Sequence, residues 1–113
     1  MDAWREEIVK EDVGTSELEV ILPPRDLGMR PERVVSFSNE ADGAALAAAA
    51  IEVAPTDTGP WFAETLTDTG IETLAAGATA VYRMTRHDRF LRVCAQAAGA
   101  GCNLTVWLDA EPA

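Results

Sequence analysis

His87 is the only imidazole in this chain, and Cys94 and Cys102 are the only thiols. A zinc centre needs three or four such ligands at supportive spacing, and there is no CxxC pair to start one. His87 lies in Thr85-Arg86-His87-Asp88-Arg89, between two extended segments, where a solvated turn histidine is expected. General base work would require a nucleophile and an orienting acid beside it. No GxSxG elbow, phosphate-binding loop or dinucleotide fingerprint occurs. Asp and Glu are plentiful, but a solvated acidic surface explains them without a glycosidase pair. The expectation is a non-enzyme with no catalytic residue, no cofactor and no metal.

Charge narrows the partners. Nineteen acids against nine bases give a formal charge of -10 and a pI near 4.3 over 113 residues. Such a surface repels polyanions, so no nucleic-acid partner is expected. No apolar run is long enough to cross a bilayer, and the start lacks the regions of a signal peptide, so neither a membrane nor a secretory address is expected. Lys10 is the only lysine. That bias fits a high-GC genome or a chain kept soluble in strong salt. Arg83, Arg86, Arg89 and Arg92 place half the arginines within ten residues. They either pair with acids on adjacent strands or form a basic spot for a carboxylate-rich partner, with Arg86 and Arg89 best placed.

The elements that must carry these residues are short and extended. Residues 1–12 are highly charged around Trp4, Ile8 and Val9 and read as an N-terminal arm, with Trp4 as its apolar anchor. Residues 13–113 read as one domain. Glu17 to Leu22 alternates, with Leu18, Val20 and Leu22 on one side, and Pro23-Pro24 stops it. Arg33 to Ser38 is a second strand. Ala44 to Ala54 is a strand or an alanine-driven helix, and the strands around it favour the strand. Trp61 to Leu66, Ile71 to Leu74 and Ala78 to Met84 follow as extended pieces. Seven or eight short strands at roughly ten-residue spacing point to an all-β fold, an antiparallel β-sandwich of jelly-roll type.

The last two strands are the clearest. Leu91, Val93 and Ala95 alternate with Arg92, Cys94 and Gln96, and Leu104, Val106 and Leu108 alternate with Thr105, Trp107 and Asp109. The pattern predicts an antiparallel hairpin turning at Ala97 to Gly101. Two registers compete. One sets Cys94 opposite Cys102, while the other pairs Val93 with Leu104 and Leu91 with Val106. The second gathers the aliphatic residues on one face, so the cysteines should not bond, with Cys94 outward and Cys102 inward. Asn103-Leu104-Thr105 matches a glycosylation sequon by its three residues alone, and a plain strand residue is expected there.

The order of segments resembles a class of small β-sandwich proteins in tailed-phage virions. Thr56-Asp57-Thr58-Gly59, Trp61, Arg92-Val93 and Thr105-Val106-Trp107 occupy the places of that class's turn, aromatic strand and closing strands, over roughly residues 13 to 109. Ala47 to Ala50 departs from its usual β-branched residues. The resemblance implies a non-catalytic virion part, assembled in the host cytoplasm: a capsid decoration (cement) protein, or a tail or spike component. Its implied partners are the major capsid protein or other virion subunits, and it would act as a symmetric homo-oligomer, a trimer or pentamer. Trp4, Ile8, Arg83, Arg86, Arg89 and Trp107 are the expected contacts. A carbohydrate-binding or adhesion module, using Trp61 or Trp107 as a stacking platform, is the competing reading.

Overall fold

A computed structural model describes residues 3–28, 30–67, 69–84 and 86–112. Eight strands form: β1 (Trp4–Val13), β2 (Glu19–Asp26), β3 (Glu32–Asn39), β4 (Leu46–Ala54), β5 (Phe62–Ala63), β6 (Thr79–Arg83), β7 (Phe90–Ala97) and β8 (Cys102–Glu111). There is no helix among the described residues. The strands make two four-stranded antiparallel sheets, ordered β1-β8-β3-β6 and β2-β7-β4-β5. Pairs nest around the β4–β5 connection, as β4 with β5, β3 with β6, β2 with β7 and β1 with β8, which is the jelly-roll arrangement.

Alternation explains most of the strands. Along β3, Val35 and Phe37 are buried while Val34, Ser36 and Ser38 are half-exposed. Leu104, Val106 and Leu108 of β8 continue that inner face. Opposite them, Leu91, Val93 and Ala95 of β7 meet Ile51 and Val53 of β4. These two faces form the core, with the sheets stacked face to face. Residues 44–54 settle as a strand from Leu46 on, because Ile51 and Val53 must share the buried face of a sheet whose neighbours are β5 and β7.

The predicted hairpin is corrected. β7 and β8 lie in different sheets and share no pairing. Their aliphatic residues do line one core, but they face each other across it rather than sitting side by side, so the register inferred from the pattern does not exist. The turn residues are nonetheless well suited: Gly99 and Gly101 have φ of 52° and 90°, and Gly101 N–H donates to the Ala98 carbonyl. The cysteines are free, as expected. Cys102 points inward, but Cys94 is also buried, at 4 % exposure, because neighbouring side chains cover it on the outer face.

Other boundaries moved. β2 runs through Pro23 and Pro24 to Asp26 instead of stopping before them. It is an edge strand with register breaks between Val20 and Leu22 and between Leu22 and Arg25, the places where prolines are tolerated. The first break turns Ile21 and Leu22 both inward and leaves Leu18 and Val20 exposed, against the simple alternation. Trp61 to Leu66 contributes only the two residues of β5. Ile71 to Leu74 is a turn, closed by Leu74 N–H to the Ile71 carbonyl, and both residues plug one end of the core. The segment expected as an arm is, from Trp4 onward, β1 itself, paired with β8 along the edge of the first sheet; Met1 and Asp2 lie outside the described residues.

Candidate assembly surface

The outer face of the first sheet is the most distinctive surface. Register aligns its outward residues in three cross-strand rows: Arg5, Asp109, Val34 and Arg83; Glu7, Trp107, Ser36 and Val81; Val9, Thr105, Ser38 and Thr79. Only Glu7 is charged in the second and third rows. It is occupied, because Trp107 Nε1 donates to Glu7 Oε2 at 2.6 Å and so lies half-buried along the strand. Val9 and Val81, at 56 % and 64 % exposure, stand at opposite edges of the same face. A protein of charge -10 thus keeps the middle of one broad sheet face apolar and hydroxylated, with charges at both ends, Glu11 at one and the row of Arg5, Asp109 and Arg83 at the other.

That end gathers the arginines. Arg5 Nε donates to Asp109 Oδ1 at 2.6 Å. Arg83 borders a shallow groove of about 180 Å³ with Glu32, Asp109 and Glu111. Arg89 makes a two-pronged contact with Asp26, at 2.9 and 2.7 Å, which holds that carboxyl below its usual range. Arg86 reaches Asp88 at 3.3 Å and lies over Phe62, 4.9 Å from the ring centre. His87 is exposed, with Nδ1 3.0 Å from the Pro31 carbonyl. The cluster is therefore largely neutralised by acids, several on neighbouring strands, rather than standing as a bare basic spot.

Arg33 organises this end and was not singled out in the sequence. It is 2 % exposed, and its guanidinium donates to the carbonyls of Arg30, Asp88 and His87. Burial pulls its pKa down, with Asp88 opposing. The signal was present, since Arg33 shares alternation with Val35 and Phe37 and so had to face inward.

On the second sheet, Arg92 and Glu52 sit opposite each other on β7 and β4, joined at 2.8 Å, and the guanidinium covers Trp61 at 4.2 Å. Cys94 Sγ donates to the same Glu52 oxygen at 3.6 Å. Burial and that carboxylate push the thiol up to about 11, so it stays protonated near neutrality.

The open sides between the sheets are closed by polar links. Arg25 of β2 grips Glu6 of β1 at 2.7 Å twice, and Tyr82 of β6 donates to Glu64 at 3.3 Å. Of the expected contacts, Trp4 and Ile8 turn their side chains against the core rim, with Arg30 over the Trp4 ring at 5.6 Å. Trp107 and Arg83 belong to the outer face, and Arg86 and Arg89 to the loop end. Asn103 accepts the Asp12 N–H at 3.0 Å. At the far end a cleft of about 360 Å³ includes Asp12, Glu40 and Asp42 in its lining. Among the described residues no three His, Cys, Asp or Glu side chains converge as metal ligands.

No family model matches this chain, and no curated protein matches it. Among solved structures it is similar to one described as "Bacillus endospore appendages form a novel family of disulfide-linked pili", at 13 % identity and a TM-score of 0.43, over 98 % of this chain and 89 % of that one. A likeness of that size speaks neither to activity nor to partners.

Proposed function

We propose that this chain is a non-catalytic structural subunit that works by packing against other protein subunits, and that its setting is the shell of a tailed-virus particle, as a capsid decoration protein. The outer face of the first sheet carries the proposal. Trp107, Ser36, Val81, Val9 and their hydroxyl neighbours give a rigid, charge-poor plane on an otherwise acidic surface, which is the composition of an interface core with a polar rim. Two observations accompany it. The jelly roll is a fold that viral capsid domains use, an analogy at fold level only. The segment order of residues 13 to 109 resembles that of small virion sandwiches.

A sugar-binding module fits less well. Trp107 lies on the first sheet and Trp61 just before β5 of the second, one fastened to Glu7 and the other covered by Arg92, so they cannot share a stacking platform.

The test is location. Particles purified on a density gradient from the host lysate, probed with an antibody to this chain, should carry it at a fixed ratio to the major shell protein, with label on the particle surface. A chain that stays wholly in the soluble fraction would overturn the structural reading. Label confined to tails or filaments would keep it and correct the setting.

A further inference from the structure

The four sheet edges are not equally open. β2 carries Pro23-Pro24 and two register breaks, β5 has two residues and β6 has five, whereas β1 runs for ten, in unbroken register from Trp4 to Lys10 with one break between Lys10 and Val13, and has β8 as its one strand neighbour among the described residues. A long free edge is a template for another strand, and charges on it normally prevent that. Here the charges do something more selective.

Two copies of β1 related by a two-fold axis pair antiparallel, and residues directly opposite must both present their edge groups outward or both inward. That restricts the axis to pass beside a residue opposing itself. Centring on Ile8 sets Arg5 against Glu11 of the second copy and Glu6 against Lys10, with Glu7 against Val9 and Ile8 against Ile8. Four unlike pairs arise by symmetry, and no like charges meet. Every neighbouring centre fails: Glu6, Glu7 and Lys10 oppose themselves, and centring on Val9 sets Glu7 against Glu11 and Glu6 against Asp12. The order Arg-Glu-Glu-Ile-Val-Lys-Glu is thus self-complementary in one register, and its charges block the others.

We propose that β1 pairs with β1 of a second copy about Ile8, joining the two first sheets into one continuous eight-stranded sheet. Other features of this side agree. Lys10 and Glu11 have no ion-pair partner among the described residues, and Arg5 remains 82 % exposed despite Asp109. Val9 on β1, Val20 on β2 and Leu18 just before it are exposed, so three of the chain's exposed large apolar side chains border this one side. The pairing also merges two outer faces into a plane twice as wide. It stands whether or not the assembly is a virion.

Charge swaps test it. Sedimentation of the full chain at about 100 µM, a hundredfold above a micromolar Kd, should show a species of twice 12.1 kDa. Arg5→Glu and Glu11→Arg each set like charges opposite and should be monomeric, at least tenfold weaker in association. Mixing the two variants should restore a dimer, because the carboxylate introduced at position 5 of one copy then meets the guanidinium introduced at position 11 of the other, and the unchanged Arg5 and Glu11 meet as in the wild type. Thermal melts confirm that each variant is folded. As a second readout, Ile8→Cys should cross-link to a covalent dimer under mild oxidation, since only this centre brings residue 8 onto itself. A monomeric wild type, a trimer or pentamer, or variants that fail to recombine on mixing would each overturn the pairing.

Discussion

Arg92 lies over Trp61 with its guanidinium carbon 4.2 Å from the ring centre, while its Nε donates to Glu52 at 2.8 Å. One side chain therefore ties β7 to β4 and to the segment entering β5. Trp61→Ala removes the ring and should cost about 1 kcal/mol in urea unfolding. Arg92→Lys should cost a similar amount despite keeping the charge, because a lysine cannot stack flat and donate sideways together.

Cys94 reports the same site through pH. Its folded pKa of about 11 lies above the unfolded value of 9.0, so the folded state holds the proton longer. Its favourable contribution is complete below the unfolded pKa and is lost as pH rises through the folded one. Between pH 9 and 11 the wild type should lose about 2 kcal/mol relative to Cys94→Ala, at roughly 1.4 kcal/mol per unit. Maleimide labelling at pH 7.5 should be negligible in the native protein and complete in guanidinium.

The Glu6–Arg25 contact behaves oppositely. Arg25 holds the Glu6 carboxyl below its usual range, so the stabilisation is present above the unfolded pKa and disappears as pH falls through the depressed folded value. A double-mutant cycle with Glu6→Gln and Arg25→Met should give a coupling of about 1 kcal/mol at pH 7, in line with a half-buried two-pronged pair. At acid pH, once Glu6 is protonated, the coupling should vanish.

Arg33 holds its end of the sandwich by donating to three carbonyls, with no carboxylate among those acceptors. Arg33→Ala removes three hydrogen bonds to part-buried carbonyls and leaves space where the buried side chain packed, so a loss of about 2 kcal/mol is expected. Hydrogen exchange should accelerate first at Leu27 and at Arg86 to Arg89, before the strands respond.

Gly43 sits where the β3–β4 connection crosses β8. A Cβ there would lie 2.8 Å from Cys102 Cα and 3.0 Å from the Gly101 carbonyl. Because those are backbone atoms, Gly43→Ala should cost about 2 kcal/mol in a thermal melt, although its φ is not left-handed.

Period-two patterning revealed faces well and partners poorly. Arg33 to Ser38 and Asn103 to Leu108 were legible because each strand is buried on one side only. β7 and β8 misled for a physical reason. Two inward faces from different sheets show the same alternation as two strands of one face, and a short glycine turn serves either geometry. β2 was cut short because Pro23-Pro24 stops a central strand but not a bulged edge. The charge-poor face was invisible for a different reason. Its rows join residues roughly 20 to 100 positions apart, such as Val9, Ser38, Thr79 and Thr105, which only the pairing brings together.

The nested order of strands also dictates how the chain can reach this state. Only β4 and β5 are neighbours both in sequence and in a sheet, and they share just two pairs. Every other pairing closes a longer loop unless the inner one is already shut, which keeps each added closure short. Loop-closure entropy therefore favours zipping outward from residues 55–61, through β3 with β6 and β2 with β7, with β1 on β8 last. The weak inner pair makes the start slow, as for other sheets built from distant contacts. The strand left waiting longest is β1, whose charges oppose all but one of its own self-pairing registers while it waits.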